Sequence, residues 1–208
     1  MGNSEKRDHW EKIYLTKDSE ELSWYQEIPR TSLELIGQLE LPVTARIIDV
    51  GGGDSLLADH LVELGYRDIT VVDISKTALA KSRNRLGGKD DKVKWIQGDV
   101  VAFIPPEKFD FWHDRATFHF LIDENEIESY LETAHHYLNA DGILLLGTFS
   151  DKGPDQCSGL PVRRYSEESL GRRLAKQFDI IRCKTVDHHT PTGNAQNFLY
   201  CILRKKSC

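Results

Sequence analysis

The chain has 208 residues, of which 39% are hydrophobic and 29% are charged, and its formal net charge is −6. This composition is typical of a soluble globular protein, and the length is sufficient for one domain with a sizeable core. The acidic balance argues against nucleic acid as the main partner. No apolar run approaches the length that crosses a membrane, so no membrane partner is expected.

Residues 1–43 predict a helical N-terminal extension. Its apolar residues recur at spacings that would give a helix one apolar side: Trp10, Ile13, Tyr14, Trp24, Tyr25, Leu33, Leu35 and Ile36. Ser32 is of the residue type that caps helices, and it predicts a helix over residues 33–39. The charged start lacks the apolar segment of a secretory signal, so the expected location is cytoplasmic.

Residues 44–208 predict alternating strands and helices. Strands are expected at 46–50, 69–73, 93–97, 109–113 and 143–149, and helices at 55–64, 76–86, 124–138 and 166–178, with a loop over 150–165. Two further strands, near 180–187 and 196–204, form an antiparallel hairpin. The alternation predicts an α/β fold, with a mainly parallel sheet between two helical layers. Because no repeat or low-complexity linker interrupts the chain, we predict one domain, residues 1–208.

The cysteines carry no metal-binding pattern. The four are Cys157, Cys183, Cys201 and Cys208, and none forms a C-x-x-C pair. A zinc site is therefore not expected, and four reduced thiols in a cytoplasm are the simplest interpretation. Cys157 is interpreted as incidental, since no partner is evident, and His188 and His189 as a solvated strand end rather than a metal site.

A glycine-rich loop follows the first predicted strand, where Gly51, Gly52 and Gly53 precede the next helix. Such a turn lets backbone N–H groups and a helix N-terminus approach a polar ligand closely. Asp73 ends the next strand about 20 residues further on, where a carboxylate accepts hydrogen bonds from a ribose. The loop and the acid together predict a nucleoside cofactor.

Two common nucleotide patterns do not match this loop. Leu56 stands where the dinucleotide pattern G-x-G-x-x-G has its last glycine, and no Gly-Lys-Ser/Thr follows for a Walker loop. The loop instead resembles the first motif of class I S-adenosylmethionine-dependent methyltransferases, D-x-G-x-G-x-G. Asp49, Gly51 and Gly53 match that motif, and Ser55 replaces its last glycine.

The resemblance to these methyltransferases implies roles for several residues around the loop. Asp73 would bind both ribose hydroxyls, and Ile74 would pack on the adenine. In the run Gly98, Asp99 and Val100, the carboxylate would accept from the adenine amino group, and the following backbone N–H would face the adjacent ring nitrogen. Asp49 has two open roles, which are contact with the methionine amine of the cofactor or ordering of the loop.

The same resemblance covers about residues 44–204 and implies the fold in more detail. The expectation is a seven-stranded Rossmann-like methyltransferase sheet with helices on both faces and a C-terminal antiparallel hairpin. Residues 44–208 would be the catalytic core, and residues 1–43 a helical lid that excludes water. In the lid, Trp24 and Tyr25 are candidates for lining the site, whereas Trp10 is interpreted as core.

Methyl transfer in this family takes place at the end of the fourth strand, where an open α/β sheet also binds ligands. His113 is expected beside the methionine part of the cofactor, where its main chain is a candidate contact. Asp114 and His119 are candidates for the acceptor-binding group and the general base. Arg115 would pair with Asp114 or bind an anionic substrate. The alternatives are a structural Asp–Arg pair and a half-buried core histidine.

Two methyltransferase groups carry a motif similar to residues 114–118. One group contains the thiopurine and tellurite enzymes, and the other contains protein-lysine methyltransferases acting on translation factors and citrate synthase. The second group also begins with an aromatic pattern similar to residues 9–25. The methyl acceptor therefore stays open between a small thiol, amine or metalloid species and a protein lysine. Two other functions compete: an inactive S-adenosylmethionine-binding sensor or partner subunit, and a nicotinamide-dependent oxidoreductase.

Overall fold

The computed structural model describes residues 3–207, apart from the side chains of residues 3 and 90. In this part of the chain the helices are α1 (Asn3–Thr16), α2 (Arg30–Gly37), α3 (Leu57–Glu63), α4 (Lys76–Leu86), α5 (Glu124–Tyr137) and α6 (Glu167–Leu174). The strands are β1 (Arg46–Val50), β2 (Asp68–Asp73), β3 (Val93–Gln97), β4 (Phe109–Arg115), β5 (Leu138–Phe149), β6 (Gln156–Cys157), β7 (Leu160–Pro161), β8 (Phe178–His189) and β9 (Ala195–Lys205). No helix within residues 3–207 is both long and apolar enough to cross a membrane.

Seven strands form one sheet in the order β3-β2-β1-β4-β5-β9-β8. The first five are parallel to their neighbours, β9 is antiparallel to β5, and β8 is antiparallel to β9. The strand order reverses beside β1, so the carboxyl ends of β1 and β4 open a crevice of the kind that binds ligands. The predicted α/β methyltransferase-type sheet with its C-terminal hairpin is confirmed.

Side chains alternate between the two faces of the sheet and pack under helices on each side. Ile47 belongs to the cluster under α2 and α3, whereas the next residue, Ile48, belongs to the cluster under α5 and α6. Both are fully buried, and burial of one such side chain stabilises the fold by about 1.5–3 kcal/mol. The two apolar layers hold the strand ends in a fixed relation to each other.

The starts of α4 and α6 are set by serine caps. The side chain of Ser75 accepts a hydrogen bond from the Ala78 N–H at the start of α4, and Ser166 does the same for Ser169 at the start of α6. Serine is one of the residue types preferred at such caps. The cap predicted at Ser32 is wrong, because α2 begins at Arg30, and Ser32 lies inside the helix with its hydroxyl buried.

Several predicted boundaries shift where tertiary pairing extends a strand. β5 begins at Leu138, directly after α5, instead of at residue 143. α6 ends at Leu174 instead of 178, because β8 begins at Phe178. Within the loop predicted over 150–165, the strands β6 and β7 pair as a small hairpin. Pairing across the sheet is a long-range property that a local pattern does not contain.

Two of the four cysteines form a disulfide bond. Cys183 on β8 and Cys201 on β9 are direct partners in the antiparallel register, and their Cα atoms are 4.1 Å apart. The prediction of four reduced thiols is therefore wrong for this pair, since the strand register brings together residues that are distant in sequence. Cys157 is free and buried, and Cys208 lies outside the described residues.

The first helix packs across the top of the sheet. Glu11 on α1 accepts a hydrogen bond from the Ser75 hydroxyl at 2.7 Å and from the Thr77 N–H at 3.2 Å. These two donors lie at the start of α4, where a carboxylate is favoured by the helix dipole. The contact fastens α1 above the carboxyl ends of β1 and β2.

Candidate active site

A cavity of about 660 Å³ lies at the carboxyl-terminal edge of the parallel strands. Its floor contains Gly51, Asp73 and Arg115, which stand at or just beyond the ends of β1, β2 and β4. Its roof is formed by α1, and the hairpin of β6 and β7 closes one side. The volume lies within the range of cofactor and small-molecule sites.

The glycine loop is packed too closely for side chains. Gly51 has φ +66°, and a Cβ atom there would lie 1.8 Å from Oγ1 of Thr117. Gly53 has φ +44°, and a Cβ atom there would lie 2.7 Å from the Tyr14 hydroxyl and 2.9 Å from Asp73 Oδ2. Glycine is required at both positions by backbone conformation and by space. The loop therefore presents bare backbone beside Asp73.

Asp73 is a buried carboxyl group that lines the cavity. Its Oδ1 accepts a hydrogen bond from the Ser75 N–H at 2.8 Å. Burial raises the pKa of Asp73 to about 7, and hydrogen bonds from the backbone of Ser75 and Gly53 only partly oppose that rise. A further hydrogen-bond donor would stabilise the charged form of this carboxyl group and lower its pKa.

Asp99 follows β3 and carries an enclosed oxygen atom without a partner. Its Oδ1 accepts from the Val101 N–H at 3.1 Å, whereas its Oδ2 is buried and has no hydrogen-bond partner among the described residues. Ile74 and Val100 supply apolar lining on either side. A buried acceptor of this kind is costly unless a ligand or a water molecule donates to it.

The roof of the cavity is one face of α1. Lys6, Trp10 and Tyr14 are spaced four residues apart, and all three line the cavity. Trp10 makes edge contacts with Trp24 at 5.7 Å and with Phe120 at 4.9 Å between ring centroids. The interpretation of Trp10 as core is therefore incomplete, because its ring also bounds the cavity.

An ion pair crosses the rim of the cavity. Lys6 Nζ lies 2.5 Å from Glu126 Oε1, and both side chains are mostly buried. Lys6 belongs to α1 and Glu126 to the first turn of α5. Together with the contact of Glu11 to α4, this pair holds the roof at two points along α1.

His113 is turned away from the cavity. Its Nδ1 lies 2.6 Å from Asp49 Oδ1, and its Nε2 lies 2.9 Å from the Ser32 hydroxyl. All three side chains are buried, and neither His113 nor Asp49 lines the cavity. The arrangement connects α2 to β1 and β4, so of the two roles open for Asp49 this geometry favours ordering of the strand end.

Asp114 is committed to structural hydrogen bonds. Its Oδ1 accepts from the N–H groups of Thr117 and Phe118, and its Oδ2 accepts from the Tyr130 hydroxyl at 2.6 Å. Burial raises its pKa to about 6, against the lowering effect of these hydrogen bonds. The carboxyl group faces α5 rather than the cavity, and it does not pair with Arg115.

His119 lies in the core under the site. Its ring stacks on Phe149 at 4.1 Å between centroids, and neither ring nitrogen has a hydrogen-bond partner among the described residues. Burial, and to a smaller extent Arg115, lowers its pKa to about 3. The imidazole is therefore neutral at physiological pH and does not line the cavity.

Arg115 lines the cavity, and its predicted pairing with Asp114 is wrong within the described residues. Its Nη1 donates to the Trp24 carbonyl at 2.9 Å, and its Nε donates to the Tyr200 hydroxyl at 3.1 Å.

Cys157 also lines the cavity, 3.8 Å from the Ser23 hydroxyl, and burial raises the pKa of its thiol. A thiol rather than a thiolate therefore faces the site at neutral pH.

Comparison with known proteins finds similarity to methyltransferases. Residues 47–142 match a family model described as a methyltransferase domain. The chain is 24% identical over 143 residues to the eEF1A lysine and N-terminal methyltransferase of Bos taurus, which covers 67% of this chain and 20% of that protein. It is 28% identical over 108 residues to the malonyl-[acyl-carrier protein] O-methyltransferase of Bacillus anthracis, which covers 51% of this chain and 38% of that protein.

A solved SAM-dependent methyltransferase from Anabaena variabilis superimposes with a TM-score of 0.76 at 14% identity, over 97% of this chain and 95% of that one. Residues 47–142 therefore match a methyltransferase domain, and the chain has the fold of a solved SAM-dependent methyltransferase. It spans about a fifth of the length of the Bos taurus relative. The segment that matches the family model, residues 47–142, includes the glycine loop, Asp73 and Asp99.

The predicted site residues of the methyltransferase domain divide into two sets. The cavity is lined by Trp24, Gly51, Asp73, Ile74, Asp99 and Val100. The side chains or backbone of Asp49, Gly52, Gly53, Gly98, His113, Asp114 and His119 lie behind that lining. The second set includes the three residues predicted as catalytic, His113, Asp114 and His119, whereas Arg115, the candidate for binding an anionic substrate, lines the cavity. A side chain at a strand end can face either side of the sheet.

Sequence reasoning missed several residues that line the cavity of the methyltransferase domain. Lys6, Trp10 and Tyr14 share one helical face, and that spacing was the available signal. Phe120, in a short turn after β4, and Glu126, in the first turn of α5, had no local signal, because both reach the cavity only in the folded chain. Among the described residues, no group of three ligating side chains is placed to hold a metal ion.

Proposed function

We propose that the chain binds S-adenosylmethionine in this cavity and transfers its methyl group to an amine of a polypeptide. The observation that carries the proposal is the pair of acids in one cavity. Asp73 is buried with a raised pKa, and Asp99 has an enclosed oxygen without a partner. Both require donors, and a nucleoside offers donors of two kinds, the ribose hydroxyls and the adenine amino group.

The residues present suit such a cofactor. Asp73 would accept from the ribose hydroxyls, and Asp99 Oδ2 from the adenine amino group. Ile74 and Val100 would hold the adenine ring between apolar side chains, and the exposed backbone at Gly51 would approach the amino-acid end. The Gly51 backbone is accessible for the last contact because glycine carries no side chain. A Cβ atom at this position would meet Thr117.

The chemistry of the bound group is methyl transfer from a sulfonium, whose leaving group is already activated. The residues of this chain contribute alignment and exclusion of water. Trp10 and Trp24 close the cavity from above, and Arg115 lines its floor. His113 and His119 face away from the cavity, and Glu126 is paired with Lys6. We therefore assign catalysis to positioning of a nucleophile that arrives deprotonated.

Three observations support a polypeptide amine as the acceptor. The Bos taurus relative is named as a lysine and N-terminal methyltransferase. The lining includes the aromatic side chains Trp10, Trp24 and Phe120, and aromatic faces pack against alkyl chains such as that of lysine. The net charge of −6 favours a basic partner. A small-molecule acceptor is the competing outcome of the test.

The test is incorporation of labelled methyl groups. The purified chain is incubated with tritium-labelled S-adenosylmethionine and a heat-treated protein extract, beside an Asp99→Ala variant. We expect label in a protein band, located by mass spectrometry on a lysine or an N-terminal amine, and a strong reduction with Asp99→Ala. Label only in the small-molecule fraction would refute the polypeptide acceptor. Calorimetric binding of the cofactor without any labelled product would instead favour a non-catalytic binding protein.

A further inference from the structure

Two side chains from the sheet hold successive carbonyl groups of the segment Leu22–Gln26, referred to below as the Trp24 segment. Arg115 at the end of β4 binds the carbonyl of Trp24, and His188 near the end of β8 binds the carbonyl of Ser23. We propose that Arg115 and His188 are positioning residues that fix Trp24 as a wall of the cavity.

Arg115 is held in a fixed orientation by three contacts. Its Nη1 donates to the Trp24 carbonyl at 2.9 Å, and its Nε donates to the Tyr200 hydroxyl at 3.1 Å. Its guanidinium carbon lies 5.4 Å from the centre of the Phe198 ring. Within the described residues no carboxylate forms an ion pair with Arg115. The hydrogen bonds of this arginine therefore go to uncharged oxygen atoms, one of which is the Trp24 carbonyl.

His188 completes the attachment from the other side. Its Nε2 lies 2.7 Å from the Ser23 carbonyl, which requires a proton on Nε2, and its Nδ1 lies 3.3 Å from Nε2 of Gln26. The ring is buried and packs edge-on against Phe198 at 6.1 Å between centroids. The histidine is therefore not a solvated strand end, as its sequence context suggested. Phe198 forms a platform under both side chains.

The Trp24 segment has little secondary structure of its own. Within it, the Tyr25 N–H bonds to the Leu22 carbonyl at 2.9 Å, while the next two carbonyls depend on Arg115 and His188. The opposite face of the segment carries the Trp24 ring, which contacts Tyr14 and Trp10 and lines the cavity. A segment without regular structure is ordered mainly by such side-chain contacts.

The first experiment measures order in the segment without requiring methyl transfer. Amide hydrogen exchange is recorded for peptides that cover residues 22–28 in the full-length wild type and in Arg115→Met, Arg115→Lys, His188→Leu and His188→Gln. One hydrogen bond from a charged donor corresponds to about a tenfold change in an opening equilibrium. We expect about tenfold faster exchange in Arg115→Met and His188→Leu, with unchanged exchange in β4 and β5 peptides. Exchange equal to that of the wild type would overturn the proposal.

Conservative substitutions distinguish the loss of a hydrogen bond to the Trp24 segment from the loss of side-chain volume. His188→Gln keeps an N–H donor, and we expect it to restore most of the protection that His188→Leu loses. Arg115→Lys keeps the charge but not the planar fork, and we expect only partial restoration. Arg172, an exposed arginine on α6, is the matched control as Arg172→Met and should behave as wild type. If the leucine and glutamine variants of His188 exchange equally fast, the hydrogen bond is not the cause.

A second measurement connects the segment to the cavity and rests on the function proposed above. Binding of S-adenosylhomocysteine is titrated calorimetrically in His188→Leu, because the His188 side chain does not line the cavity whereas Arg115 does. We expect Kd to rise by about tenfold in His188→Leu and to stay unchanged in Arg172→Met. Faster exchange with unchanged affinity would refute the role of Trp24 as a cavity wall. A wild-type chain that fails to bind the probe would refute the proposed function and leave the exchange result intact.

Discussion

Binding of S-adenosylmethionine should release a proton from Asp73. Burial raises the pKa of this carboxyl to about 7 in the free protein, so about half of the molecules carry the proton at pH 7. Two ribose hydroxyls that donate to the carboxyl would stabilise its charged form and lower its pKa. The proton must then leave as the cofactor binds.

The structure sets the size and the sign of this effect. At pH 7 we expect release of about half a proton per cofactor, and almost none above pH 9. Below pH 7 the carboxyl must be deprotonated before it binds, so affinity should fall by up to about tenfold for each pH unit. In the free protein the raised pKa also makes stability fall as pH rises from about 4 to about 7, because the unfolded chain loses the proton first.

The assay is calorimetric titration at pH 7 in phosphate and in Tris, two buffers whose ionisation enthalpies differ strongly. The difference in apparent binding enthalpy gives the number of protons released. Asp73→Asn should bind more weakly and release none of this half proton. Asp114, whose pKa burial raises to about 6, is present in both proteins and cancels in the comparison. Equal proton release from wild type and Asp73→Asn would refute the assignment, as would an affinity independent of pH between 5.5 and 8.

Three further substitutions test the site. Asp99→Ala should weaken cofactor affinity by about tenfold, because the adenine amino group loses its acceptor; an unchanged Kd by calorimetry would contradict this. Gly51→Ala should abolish measurable binding or lower Tm, since the new Cβ would overlap the Thr117 side chain, and a wild-type titration would show that the loop has room. His119→Phe should keep turnover within about twofold and should not lower Tm, because it removes two unpartnered nitrogens from the core. A large loss of turnover at wild-type Tm would restore His119 as a catalytic candidate.

More of the residues predicted to bind the cofactor line the cavity than of those predicted to act on the acceptor. Gly51, Asp73 and Asp99 stand at or just after the ends of consecutive parallel strands. Because the carboxyl ends of parallel strands meet at one edge of the sheet, the order along the chain predicts that these residues lie close together. His113, Asp114 and Arg115 occupy the end of one strand, where successive side chains alternate in direction. Which of the three faces a ligand depends on β4 register and on what packs against each face.

The remaining differences between the sequence predictions and the structure come from contacts between residues that are distant in sequence. Asp114 accepts hydrogen bonds from Tyr130 and from two backbone N–H groups, and His113 is hydrogen-bonded to Asp49 and Ser32. The disulfide between Cys183 and Cys201 follows from the β8–β9 register. Each of these depends on an element distant in sequence, so composition and periodicity could suggest the residue types but not their partners.

The roof and the floor of the cavity are encoded by separate parts of the chain. The family match begins at residue 47, after Lys6, Trp10, Tyr14 and Trp24, and thus covers the floor without the roof. A change of residues in the first 43 positions can reshape the roof while the strand ends that form the floor stay unchanged. A chimera that exchanges only this leading segment between two relatives would therefore place a different roof over the same floor.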